Sequence, residues 1–353
     1  MVISIRNLMF DYNILNSREF DMPVISVGNI TVGGTGKTPH IEYLLRLLRD
    51  EFRVATLSRG YKRKSRGFRM ARTESTVEQV GDEVLQMKKK FPGSAIAVDK
   101  NRVRGIGRLM KDIPELDVIL LDDAYQYRYV KPGLSILLID YNRPFSTDHL
   151  LPAGRLREHP FEKKRANIIL VTKCPERLKP IERRLVVKEL KLYPFQNLFF
   201  TRLKYDQPRP VFPDAAPQGM DHDRIRSLRP RLLMLSGIAN PRLFKKYLRG
   251  ISTRIDELQY PDHHYYSEKD VSGICDRFLQ MEGEEKYLFT TEKDAMRLQK
   301  HNHIDNRVRS RMYFVPLEID FINEDRNNFD QLILNYVRNN RRNSILHKKP
   351  DRV

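Results

Sequence analysis

The stretch VISVGNITVGGTGKT, residues 24–38, decides the fold. Val24, Ile25 and Val27 are apolar and β-branched, as a buried strand requires, and Gly33, Gly34 and Gly36 then strip Cβ atoms from a turn that runs into Lys37 and Thr38. Such a turn lets backbone N–H groups converge on phosphate oxygens, while the lysine brings a point charge, the threonine hydroxyl reaches a Mg²⁺ and the following helix lends its N-terminus. The predicted ligand is a nucleoside triphosphate. The full pattern G-x-x-x-x-G-K-[ST] would place glycine at Thr31, and some nucleotide-binding loops carry a lysine where this chain has Val32, so only the GKT end is regular. The context is right on both sides, with an apolar strand before and Ile41, Leu44, Leu45 and Leu48 at helical spacing after.

At 353 residues the chain is too long for one small core, and length suggests two domains. A formal charge of +19 calls for a polyanionic partner, a demand that nucleic acid, an anionic membrane surface and phosphorylated substrates all meet. Aromatic stacking platforms and recognised nucleic-acid modules are missing, so nucleic acid is not the expected partner. Cys174 and Cys275 cannot form a disulfide framework, and with a phosphate loop they point to a reducing, cytosolic compartment. No run approaches the roughly 18 to 20 apolar residues that span a bilayer, and nothing at the start reads as a cleavable signal. Residues 1–20 mix Ile3, Ile5, Leu8, Phe10 and Ile14 with Arg6 and Arg18, which suits either an interfacial amphipathic helix or a helix packed on the body.

Farther along, 52–58 reads as a strand, followed over 59–72 by a mobile basic loop that begins with Arg59 at the strand's carboxyl end, where open α/β sheets hold ligands. Residues 79–91 have helical spacing, with Gly81, Asp82 and Glu83 at their start. A strand over 116–123 delivers Asp122 and Asp123 at its carboxyl end, as a Walker B element does for the nucleotide's Mg²⁺. The segment 142–164 is irregular and carries Arg155 and Arg157, and so long a loop is either functional or disordered. Thr172-Lys173-Cys174 is followed by Pro175 where a guanine-reading aspartate would stand, so GTP is not inferred. The proline-rich run 207–217 marks a boundary, after which strands and helices alternate again to about residue 337 and a polar, basic tail is expected to be disordered. His263 and His264 follow Asp262 with no cysteine or histidine cluster at ligand spacing, which argues against zinc and leaves a surface histidine or one that serves a carboxylate base.

The expected fold class is thus α/β: a P-loop NTPase-like parallel-sheet domain over 1–197, a β linker over 198–228, a second, smaller α/β domain over 229–340 and a tail over 341–353.

GNITVGGTGKTP, SRGY, VGDE, LDDAYQ, LLPAGRLRE, SGIANP, PDHH and TEKDA occur here in the order found in the bacterial tetraacyldisaccharide 4′-kinases, and the chain resembles that family over about residues 20–319. The resemblance implies transfer of the γ-phosphoryl group of ATP, with Mg²⁺, to the 4′-hydroxyl of tetraacyldisaccharide 1-phosphate, giving lipid IVA in lipid A biosynthesis. It implies a monomer that works at the cytoplasmic face of the inner membrane as a peripheral or monotopic protein. Carried over by motif, the phosphate loop falls on Gly33, Gly34, Thr35, Gly36, Lys37 and Thr38, the metal-binding pair on Asp122 and Asp123, the catalytic aspartate on Asp82 beside Glu83, and its histidine partner on His263. A carboxylate within reach of a sugar hydroxyl can accept its proton during phosphoryl transfer, and Arg59 with Arg155 or Arg157 are the expected additional cations. Closure of the two domains would complete the site and exclude water. Two departures stand out. Ala124-Tyr125-Gln126 replaces the family's common Gly-Phe-Gln, and the opening apolar helix is shorter than in many relatives, so either the short segment and basic loops carry the membrane contact or the native start lies upstream of Met1.

Overall fold

The structure is a computed structural model and describes residues 2–145, 148–216, 222–262, 264–301, 303–322 and 325–347. The chain divides into two compact units, Met1–Leu203 with Ile319–Val353, and Lys204–Glu318. The strands of the first are β1 (Val24–Gly28), β2 (Val54–Ser58), β3 (Arg69–Met70), β4 (Ala95–Val98), β5 (Val118–Asp122), β6 (Leu134–Asp140), β7 (Ile168–Thr172) and β8 (Asn197–Tyr205). Those of the second are β9 (Arg209–Pro210), β10 (Arg231–Ser236), β11 (Ile255–Gln259), β12 (Lys286–Thr291) and β13 (Met312–Val315), and β14 (Leu317–Phe321) leads back to the first.

Among the described residues the first sheet runs β14-β8-β7-β6-β1-β5-β2-β4-β3. Pairing is parallel from β8 through to β4, and the edge strands β3 and β14 run antiparallel to their neighbours, β14 with the Ile322 N–H donating to the Phe200 carbonyl and the Asp206 N–H to the Pro316 carbonyl. Parallel strands covered on both faces must be apolar throughout, and β1, β5, β6 and β7 are buried along their whole length. The arrangement also brings their carboxyl ends to one edge of the sheet. β1 sits between β5 and β6, so the phosphate loop leaves the centre of that edge.

One face of the sheet is covered by the helix Lys37–Leu48, which buries Ile41, Leu44, Leu45 and Leu48. The same core takes Phe329, Ile333 and Val337 from the helix Asp325–His347, a spacing of four residues that sets one stripe inward. The sequence order places this last helix in the second domain, expected over 229–340. Its stripe instead faces Phe321, Phe199 and Tyr43, with the Phe329 ring 4.9 Å from that of Phe321 and 5.3 Å from that of Phe199. The expected tail over 341–353 is also revised, because the helix continues through His347, and residues 348–353 lie outside the described residues.

Other departures have local causes. The single helix expected over 79–91 is two, Val77–Val80 and Asp82–Lys90, because Gly81 takes φ +91, which an L side chain rarely adopts. The basic loop expected over 59–72 contains β3 and is tied down: the backbone N–H of Lys64 donates to Glu78 and the Arg63 guanidinium to the Gly67 carbonyl. The helix Pro180–Leu190 is not evident in the sequence, since Ile181, Leu185 and Val187 are apolar yet exposed and only Val186 and Leu190 of its apolar residues pack inward.

The second unit has a sheet of order β11-β10-β12-β13-β9, parallel except for β9. Leu233, Leu235 and Leu288 face Val271, Ile274 and Phe278 of one helix, and Leu232, Met234 and Phe289 face Phe244 and Leu248 of another. Phe329→Ala should therefore destabilise the first unit by about 3–5 kcal/mol in denaturant unfolding, a loss typical of a large core ring. A change below 1 kcal/mol would place the helix outside that core.

Candidate active site

The phosphate loop is shaped by its neighbours as much as by its glycines. Asn29 is fully buried and donates from Nδ2 to Thr35 Oγ1 at 3.0 Å, and Thr172 at the end of β7 donates its hydroxyl to the Thr35 carbonyl at 2.9 Å. Gly33 at φ +115 and Gly36 at φ +88 supply the left-handed turns. Residues 155–157 form the loop's other wall: Val32 N–H donates to the Arg155 carbonyl and Arg157 N–H to the Ile30 carbonyl, each at 2.7 Å, with Thr31 bridged to Leu156 between them. This wall fixes where Arg157 points. Its Nη1 lies 3.1 Å and 3.2 Å from the two Asp123 carboxylate oxygens.

Asp123 is the counter-ion of the site. Lys37 Nζ stands 3.5 Å from it and 3.4 Å from Asn29 Oδ1. Burial would raise the Asp123 carboxyl, but Lys37 and Arg157 outweigh it and hold the group below the usual range. The residue sits at φ +46, in the left-handed region that L side chains adopt at a cost. Asp122 is buried, and its Oδ1 has no hydrogen-bond partner. Burial, followed by the Glu83 and Asp123 carboxylates, pushes it up to about 7 against the pull of Lys37 and Arg102.

A buried carboxylate oxygen without a donor, beside further carboxylates and a lysine, suits a hard cation shared with phosphate oxygens. Mg²⁺ in such sites takes one or two carboxylates and keeps its remaining positions for water and phosphate. No cluster of three or more His, Cys, Asp or Glu able to hold a metal by itself exists among the described residues, which is compatible with a cation whose other ligands come from a nucleotide. The residues fit. Thr38, in the first turn of the helix Lys37–Leu48, is buried at the same sheet edge.

Asp82 opens the helix Asp82–Lys90, is buried, and accepts the Glu83 N–H at 3.0 Å on Oδ1. Gly81 is required here twice: for its φ, and because a Cβ would stand 3.1 Å from the Tyr61 carbonyl oxygen. The SRGY and VGDE segments therefore pack backbone to backbone. Arg59 is exposed and close enough to the buried Arg102 to oppose its charge. Arg155 is exposed and meets the phosphate loop through its carbonyl. His263 lies outside the described residues. Around it in the second unit, His264 stacks on Tyr260 with ring centroids 4.6 Å apart and bonds Asp270 at 3.1 Å.

Sequence reasoning passed over several participants. Arg102, whose Nη2 approaches the Asp122 carbonyl at 3.4 Å, starts the helix after β4 at the ligand-bearing edge, and that position was its signal. Gln126 donates to the Asn29 carbonyl at 2.7 Å and to Glu158 at 3.2 Å, tying the segment after Asp123 to the phosphate loop. His40 is buried with Nδ1 2.7 Å from the Gly36 carbonyl and Nε2 3.0 Å from Thr201 Oγ1. A carbonyl can only accept, so Nδ1 carries the proton and neutral Nε2 accepts from the threonine.

A family model described as tetraacyldisaccharide-1-P 4′-kinase (LpxK) matches residues 1–338. The chain belongs to that family. Among curated relatives, the tetraacyldisaccharide 4′-kinase of Bacteroides thetaiotaomicron is 47% identical over 99% of this chain and 93% of its own. That of Flavobacterium johnsoniae is 44% identical over 96% and 94%, and that of Porphyromonas gingivalis 40% over 95% and 93%. The crystal structure of an "apo" form LpxK from Aquifex aeolicus in complex with ATP matches at TM-score 0.71 and 27% identity, over 95% of each chain. The parallel-sheet kinase fold described above is that of the 4′-kinase family.

Burial lowers His40 from 6.5 to about 4, although its bond to the Gly36 carbonyl pulls the other way. The unfolded chain binds the extra proton between those values, so this residue's contribution to stability is complete above pH 6.5 and falls as pH drops toward 4. His40→Gln should flatten the pH dependence of the melting temperature in that window by an amount worth up to about 3 kcal/mol. An unchanged slope would show that His40 does not titrate in this environment.

Proposed function

We infer that the chain catalyses ATP-dependent phosphorylation of the 4′-hydroxyl of tetraacyldisaccharide 1-phosphate, yielding lipid IVA in lipid A biosynthesis. The observation that carries this reading is the carboxylate pair Asp122–Asp123 beside Lys37 of a phosphate loop, in a chain of the 4′-kinase family. Lys37 and the loop N–H groups hold the nucleotide's phosphates, and Arg157, brought to the same carboxylate by its loop, adds positive charge. Asp82 accepts the proton of the 4′-hydroxyl as the new O–P bond forms and the bond between Pγ and the ADP oxygen breaks, leaving the bonding pair on ADP. Asp122, Asp123 and Thr38 are the residues that would hold Mg²⁺, with Glu83 nearby, and bound Mg²⁺ supplies charge neutralisation at the phosphate oxygens. His263 is assigned by the family motif the task of holding and tuning the base.

The buried acids give the proposal a kinetic signature. Asp82→Ala should lower turnover by about 100-fold or more with ATP affinity little changed, because a base acts in the transition state. His263→Ala should cost less, and a larger loss would make the histidine itself the base. The assay is transfer of label from ATP to the disaccharide monophosphate lipid by the full chain. Absence of lipid-dependent transfer by folded protein would sink the function.

Such a substrate has to be drawn from a bilayer, and the helix Val2–Asp11 supports docking on the cytoplasmic face of the inner membrane. Phe10 and Asn7 face inward, while Ile5 and Leu8 are 50% and 52% exposed. No helix among the described residues is long and apolar enough to cross a membrane. The +19 charge favours an anionic surface over a neutral one. Ile5→Asp with Leu8→Asp should reduce co-sedimentation with anionic phospholipid vesicles severalfold, with the melting temperature unchanged. Equal sedimentation would move the membrane contact elsewhere.

A further inference from the structure

The phosphate loop has a cation at its rim that none of the motifs contains. Arg143 follows β6, which is the direct neighbour of β1 in the sheet, and its Nη1 lies 3.4 Å from the point where a Cβ at Gly33 would stand. The backbone on either side of it is held. Ahead, Arg143 N–H donates to the Asp140 carbonyl at 3.0 Å, Asn142 bonds the Asp140 carboxylate and the Lys173 carbonyl, and Lys173 Nζ meets Asp140 at 2.7 Å. Behind, Phe145 is buried in the core formed by Leu137, Ile139, Val171 and Leu190. The arginine itself is exposed and has no ion-pair partner among the described residues.

The other basic groups of this edge are differently placed. Lys37 and Arg157 share Asp123, and Arg102 is buried against Asp122. In a loop of this kind the helix N-terminus takes the inner phosphates and the glycine limb ahead of it rims the terminal one. Gly33 belongs to that limb. A guanidinium there offers several fixed donors to the oxygens on which charge shifts during phosphoryl transfer, and it can do so without first leaving a carboxylate.

We propose that Arg143 is a further substrate-binding residue, which contacts the terminal phosphate of ATP over Gly33 and stabilises the transferring phosphoryl group. The kinetic part of this rests on the phosphoryl-transfer reading above; the binding part does not.

The test compares wild type, Arg143→Ala and Arg143→Lys. Titration calorimetry with Mg·ATP and Mg·ADP should show ATP bound about tenfold more weakly by the alanine variant and ADP bound as in wild type, since a lost charge-assisted contact is worth roughly that factor. In the lipid assay its turnover should fall by about 100-fold with the KM for lipid unchanged, and the lysine variant should recover part of the loss. An unchanged ratio of ATP to ADP affinity overturns the proposal, and so does a parallel loss of both affinities with a lowered melting temperature, which would mark a structural role. Wild type that binds ATP and transfers nothing to lipid would sink the kinase reading while the affinity ratio still decides Arg143.

Discussion

Two adjacent aspartates at the end of a buried strand cannot both carry charge unless cations reach them, and the active edge of this protein is arranged around that constraint. Asp123 is kept ionised by Lys37 and Arg157, whereas Asp122, with its Oδ1 unpartnered and Glu83 nearby, sits near neutrality. Lys37 comes from the phosphate loop, Arg157 from the irregular segment and Glu83 from the helix after Gly81, so one electrostatic problem joins pieces far apart in the chain. Each of these three side chains acts on one or both of the aspartates.

The parallel order of β8 through β4 follows from apolar strands alternating with amphipathic helices, and the phosphate loop and aspartate pair were legible because each needs an unusual local composition. Less legible were features that depend on what a segment touches. Asn29, Gln126 and Arg102 look like ordinary polar residues until the sheet sets them beside Thr35, Glu158 and Asp122. The helix Pro180–Leu190 is hard to read because its apolar residues Ile181, Leu185 and Val187 face outward and only Val186 and Leu190 pack inward. The helix Asp325–His347 was placed with its sequence neighbours, although its inward residues complete a core begun at Ile25. Chain proximity is a weak guide when a domain is interrupted.

The motifs of the second unit have a different logic. Gly237, from SGIANP, donates its N–H to Asp294 of TEKDA at 2.9 Å, Thr291 bonds the same carboxylate at 2.7 Å, and Arg297 takes its other oxygen at 3.0 Å. Asp294 is fully buried, and these donors satisfy it. These signature residues therefore splice the ends of β10 and β12 together, just where Tyr266 is buried after the PDHH segment. Family motifs in this half of the chain mark a scaffold of buried polar groups that satisfy one another.

Because Phe329, Ile333 and Val337 line the same core as Ile25 and Leu44, the nucleotide-binding unit is discontinuous in sequence, with residues 204–318 inserted into it. During synthesis the ribosome delivers the inserted unit whole before it delivers the last helix of the unit around it. The phosphate loop is thus among the earliest parts made and among the last to gain a finished core. A nascent chain halted before residue 325 would carry every nucleotide-binding motif and still lack the helix that closes the hydrophobic layer beneath them.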